Sequence, residues 1–164
     1  MEALLNRIPR LPKMLCASLT LLGAMAPAAT LAALGDDLKS VEADRVAMKG
    51  SVQQLTDLRF GVSRYVVHEI QTPEGTVVRE YVAPSGKVFA VTWQGNFLPN
   101  LQQLLGASFE PWQSAVRAQR RGRSAVSVAT ARLVVHSGGH MRAFFGQAYL
   151  PQDVPADVPL SELR

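Results

Sequence analysis

Three sets of side chains in this sequence have types and spacings that could do chemistry. His68 and Glu80 lie on either side of a Thr72-Pro73-Glu74-Gly75-Thr76 punctuation, so a tight reversal there sets an imidazole beside a carboxylate. A carboxylate that orients an imidazole makes a general base. The bland alternative is a buried pair that satisfies itself and fixes sheet register, since neither group is buried cheaply alone. Glu69 and Arg79 straddle the same reversal and suit a surface ion pair, worth about 0–1 kcal/mol. His136 and His140 flank Ser137-Gly138-Gly139, with His68 a conceivable third ligand for a metal. Zinc sites need three or four protein ligands, however, and no Asp or Glu lies between residues 136 and 149.

Other chemistries find no support. Cys16 is the one cysteine. It falls in a stretch that reads as a leader, so the exported chain is expected to hold no thiol nucleophile, disulfide or thiolate metal site. Gly138-Gly139 is not followed by a helix start, as a phosphate loop requires. Ser137 lacks the Gly-x-Ser-x-Gly setting of a nucleophile elbow. No cofactor is expected. Arg117, Arg120, Arg121 and Arg123 gather at the end of a helical pattern, where positive charge is favoured. Their functional alternative is docking to anionic lipid or an acidic glycan. Trp93, Phe97 and Trp112 are expected to be core rather than a stacking surface.

The elements that position these groups follow from punctuation and period. Residues 1–32 read as a secretory signal: Arg7, Arg10 and Lys13 precede an apolar run from Met14 to Ala26, with cleavage expected near Ala32. That run is shorter than the roughly 20 residues that span a bilayer. Without residues 1–32 the chain holds 14 basic and 12 acidic residues, a net +2 against +4, which gives no reason to expect nucleic acid. Residues 33–164 suit a single globular domain with a Pro-rich tail.

Leu38, Val41, Arg45 and Met48 predict a helix over residues 36–49, capped by Asp36 or Ser40 and stopped by Gly50. Residues 51–61 are polar and read as a linker. The Pro73-Glu74-Gly75 and Pro84-Ser85-Gly86 corners each predict a three-residue hairpin loop with glycine in the left-handed position. The resulting meander pairs His68 with Glu80, Val66 with Val82, Glu80 with Ala90 and Val78 with Thr92. One face then carries His68, Ile70, Val78, Glu80 and Ala90, and the other Tyr65, Glu69, Arg79, Tyr81, Phe89, Val91 and Trp93. Pro99 at a first helical position and Leu101, Leu104 and Leu105 predict a short helix ended by Gly106. Phe109, Trp112 and Val116 predict another. Residues 125–136 and 140–149 predict a hairpin turning at Ser137-Gly138-Gly139.

Val67-His68-Glu69-Ile70, Val78-Arg79-Glu80-Tyr81, Trp93-Gln94-Gly95, Leu104-Leu105-Gly106 and Ser137-Gly138-Gly139-His140-Met141 together resemble the exported proteobacterial family catalogued as domain of unknown function 2844. The resemblance runs from Ala33-Leu34-Gly35 through Ser40-Val41-Glu42-Ala43-Asp44 to the tail. It implies an exported protein and brings no activity, cofactor or catalytic residue with it.

The reading is therefore an α+β protein: an antiparallel sheet of about five strands, a three-stranded meander plus a C-terminal hairpin, packed with two or three short helices. The expected location is periplasmic or secreted. The expected role is a non-catalytic binding or accessory module whose partner is another envelope protein, docked on an open meander edge. The alternative is a small periplasmic hydrolase or carbohydrate-active enzyme using His68 with Glu80 or Glu69. A metal chaperone built on His136 and His140 ranks third.

Overall fold

The computed structural model describes residues 34–59, 62–118 and 125–163. The leader with Cys16, its cleavage site, and Arg120, Arg121 and Arg123 lie outside the described residues. Helix α1 (Leu38–Ala47) leads into strands β1 (Ser51–Arg59), β2 (Val62–Gln71), β3 (Val77–Val82) and β4 (Val88–Gly95). Short α2 (Leu101–Leu105) and α3 (Phe109–Ala118) precede β5 (Val126–Ala129), β6 (Val134–His140) and β7 (Ala143–Tyr149). The strands form one antiparallel sheet in the order β1-β2-β3-β4-β7-β6-β5. The class is α+β as expected, but with seven strands rather than five.

Both Pro-x-Gly corners fold as their residues demand. Gly75 and Gly86 have φ of 82° and 83°, and the flanking pairs Thr72–Thr76 and Ala83–Lys87 close at 2.9 Å. The first hairpin has the expected register, with Val66 opposite Val82, His68 opposite Glu80 and Ile70 opposite Val78. The second slips by one residue. Val82 faces Val88 and Tyr81 faces Ala90, which leaves Phe89 as the extra residue of a bulge. Glu80 therefore faces Val91 rather than Ala90, and Val78 faces Trp93 rather than Thr92. Past the bulge every β4 side chain exchanges faces, because the side-chain period is 2. The backbone N–H of Leu150 donates to the Phe89 carbonyl at 2.9 Å, satisfying the bulged residue.

Residues 51–61, expected to be a linker, supply β1, which covers the outer edge of β2. β7 covers the outer edge of β4, so the meander has no open edge; the sheet ends at β1 and β5. The C-terminal hairpin also differs from expectation. Thr130 folds back on Leu133, whose N–H donates to the Thr130 hydroxyl at 2.9 Å, and this splits residues 125–136 between β5 and β6. The turn lies at Met141-Arg142, and Ser137-Gly138-Gly139 runs inside β6. Gly139 is needed there because a Cβ would stand 2.5 Å from the Ala143 carbonyl oxygen.

The two faces are covered differently. On the inner face, Ile70, Val78, Val88, Val91 and Trp93 pack against Val41, Leu104 and Leu105 of the helices, with Phe109 and Trp112 beside them. Trp93 is thus core and Trp112 half-buried against it, whereas Phe97 is exposed. On the outer face, Tyr65, Tyr81 and Phe89 form an aromatic cluster with centroids 5.7–6.2 Å apart. The C-terminal tail lays Val158 and Leu163 over that cluster. The tail covers only this part of the outer face.

The helix ends correct three local expectations. The α1 cap is Asp37, whose side chain accepts from the Lys39 N–H, rather than Asp36 or Ser40. Lys49, at φ 51°, turns the chain out of the helix. Gly50 is instead a close-approach residue, since a Cβ would meet the Ile70 side chain at 2.5 Å. Asn100 caps α2, placing Pro99 before the cap. No helix among the described residues is long and apolar enough to cross a membrane.

Candidate functional site

The register builds a row of polar side chains across the uncovered part of the outer face. Glu69 faces Arg79, Arg79 faces Thr92, and Thr92 faces Gln147. Gln147 faces His136, which faces Ser127. Directly paired residues on adjacent strands point to the same side of a sheet. Two positions along each strand, Gln94, Phe145 and Gly138 make a parallel row. The residues between the rows, Trp93, Gly146 and Ser137, point to the helix side and leave only backbone as a floor. The result is a trough of about 420 Å³ running across the strands. That is within the range of about 300–1,000 Å³ that holds small ligands.

The walls have defined chemistry. The Ser127 hydroxyl and His136 Nδ1 are 2.8 Å apart. Arg79 Nε donates to Glu69 at 2.8 Å, so the one cation among the described residues lining the trough is paired. None of the described residues lining the trough is acidic. Phe145 is 58 % exposed. Its ring covers Gly138, where an added Cβ would stand 3.0 Å from Cζ. Gly146 is equally constrained, with Trp93 Cζ2 at 2.3 Å from its missing Cβ.

A second constellation is sealed inside. Glu80, from β3, and Asp44, from α1, are each 1 % exposed. Gln103 of α2 donates its amide to Asp44 Oδ1. Burial lifts Asp44 to about 6, against the lowering effect of hydrogen bonds from Glu80 and Gln103. Burial, reinforced by the hydrogen bond to Asp44 and by its charge, pushes Glu80 up to about 9. An ionised Glu80 would leave both oxygens without a donor. Protonated, it donates to the Asp44 carboxylate, so the pair holds one proton at neutral pH.

The sequence-derived candidates therefore separate. His68 and Glu80 are opposite in register, yet the Glu80 carboxyl turns to α1 and partners Asp44. His68 is half-buried, and burial alone lowers its pKa, with no carboxylate contributing. Neither residue lines the trough. Glu69 and Arg79 form the expected ion pair. His136 and His140 sit four residues apart on β6 instead of flanking a turn, about 13 Å from each other at 3.3 Å per residue. His68 lies four strand spacings from His136, about 19 Å, and on the opposite face. No metal-sized cluster of His, Cys, Asp and Glu occurs among the described residues. Arg117 is an exposed cation in the last turn of α3.

Sequence reasoning missed Asp44, Gln103, Ser127 and Gln147. Asp44 carried a usable signal: it lies three residues after Val41 and four before Met48, on the stripe that α1 buries.

These features define an α+β protein with one antiparallel sheet, helices and tail on opposite faces, and an open trough beside the tail. The chain belongs to the family described as a protein of unknown function (DUF2844), whose model matches residues 30–163. No curated protein and no solved structure matches it.

Proposed function

We propose that this is an exported, non-catalytic binding module that holds its ligand in the outer-face trough. The carrying observation is the contrast between the two constellations. The groups with strongly perturbed protonation are sealed from substrate, while the accessible trough offers hydroxyl, amide, imidazole and aromatic groups and, among its described lining residues, no acid. The leader-like residues 1–32 support export to the periplasm. Another protein of the envelope is the proposed partner.

The Ser127–His136 contact is the one feature that favours a hydrolase. A serine–histidine pair needs a third group to orient the ring. The acid of the same row, Glu69, is about 19 Å from His136 and is bound to Arg79. The trough thus presents the pair as polar lining.

The test couples amide chemical-shift mapping of a fragment set to turnover of chromogenic esters and glycosides. The binding reading expects shifts clustered at Thr92, His136, Phe145 and Gln147, with turnover unchanged by Ser127→Ala. Turnover abolished by that substitution would establish the hydrolase instead.

A further inference from the structure

We propose that the ligand of the trough is a neutral saccharide; this rests on the binding reading above and gives it a ligand class. The argument starts from what the walls offer. Hydroxyl and amide side chains each both donate and accept, and a histidine ring offers two nitrogens that pair with hydroxyls. Thr92, Gln94, Gln147, His136 and Ser127 are all of these types. A sugar hydroxyl has the same dual character, so it can pair with Gln94, Gln147, His136 and Ser127 on the walls, while Thr92, only 4 % exposed, lies at the floor.

Charge argues against an ionic ligand. Arg79 is paired with Glu69 at 2.8 Å, and no acidic side chain is among the described residues lining the trough. A charged ligand would lose its hydration without gaining an opposite charge. Backbone accounting argues against an extended peptide. Peptides added to a sheet rely on the open N–H and C=O groups of an edge strand. The trough floor is formed by β4, β7 and β6, interior strands with their ladders already paired, and the edge strand β5 contributes only one wall, through Val126 and Ser127 with Ala125 just before it.

Phe145 completes the match. Its ring is exposed and lies over Gly138, which provides a flat apolar platform beside a polar row. The C–H face of a pyranose packs on such a ring while its hydroxyls reach the row opposite. Gly138 is therefore part of the site: a side chain there would displace the platform.

The experiment titrates the purified protein with chitotriose, cellotriose and maltotriose, and with a heparin-derived tetrasaccharide as the anionic probe. Binding is followed by amide chemical shifts and calorimetry at low and high salt. The expected result is salt-independent binding of at least one neutral trisaccharide, with shifts at Thr92, His136 and Gln147. Phe145→Leu, which keeps apolar bulk but removes the ring, should weaken it about tenfold or more. Gln147→Ala should weaken it by a similar factor, and Leu38→Ala, on the far side of the sheet, should not. Three outcomes overturn the saccharide: no neutral probe bound, affinity unmoved by Phe145→Leu, or binding of the heparin fragment alone. If fragments of another chemistry still map to the trough, the binding module stands without the sugar. If nothing maps there, both readings fall.

Discussion

Replacing Glu80 by Gln isolates the buried acid pair, because the amide keeps the shape and a donor for Asp44 but cannot ionise. The folded pair holds a proton that the unfolded chain has lost, since Glu80 moves from 4.5 to about 9. A raised folded value stabilises most below 4.5, and the contribution is lost as pH climbs through that interval. Asp44 rises from 3.8 to about 6, so its own loss is largely complete above that value. His68 acts in the opposite sense. Its folded value is lowered from 6.5, so its stabilisation grows with pH and is complete above 6.5. A window from about pH 7 to about pH 8.5 therefore reports Glu80 with little from the other two. One proton held by the folded state alone gives a slope of about −1.4 kcal/mol per pH unit, or about 2 kcal/mol over the window. With a urea dependence of about 2 kcal/mol per molar, the wild-type midpoint should fall by about 1 M. Glu80→Gln should keep its midpoint nearly constant over the same range. A wild-type midpoint that is flat or rises with pH, or a variant that falls in parallel with it, would refute the shared-proton assignment.

Gly146→Ala places a methyl 2.3 Å from Trp93 Cζ2 and 2.6 Å from the His136 carbonyl oxygen, atoms that cannot both retreat. It should cost about 1–3 kcal/mol, read as a lower melting temperature with altered tryptophan fluorescence. Truncation before Pro155 removes Val158 and Leu163 from the Tyr65–Tyr81–Phe89 cluster. Each lost contact is worth up to about 1.5–3 kcal/mol, and the bared aromatics should bind a hydrophobic dye that the full chain does not.

How much was legible follows from where the chain carries redundant signals. The two Pro-x-Gly corners state turn type and loop length together, and both fold as read. Strand β1 gave no such signal. Residues 51–54 are exposed at the sheet edge, so no alternation is imposed, and Gln53 and Gln54 together look like linker. The α1 stripe was misassigned because Leu38 is 49 % exposed, while Ser40 and Asp44 are buried. A helix that buries acid and hydroxyl does not display its inner face through hydropathy. The last hairpin misled for the converse reason. Glycines demanded by close contacts with Phe145 and Ala143 resemble turn glycines, whereas the true turn uses Arg142 at φ 65°.

The bulge at Phe89 links these errors to function. Val88-Phe89-Ala90-Val91 is apolar throughout, so no alternation exists from which a one-residue slip could be detected. That slip turns Val91 and Trp93 into the helix core and Thr92 and Gln94 outward. Without it, Trp93 would stand among Arg79 and Glu69 on the outer face, filling the space that is now the trough. Thr92 would then lie in the core opposite Val78, where its hydroxyl would need a partner of its own. One extra residue on one strand thus both closes the acid pair beneath apolar neighbours and turns the polar row to the outer face. The hydrogen bond from Leu150 to the Phe89 carbonyl holds that choice in place, because it joins the bulge to the segment that leads into the covering tail.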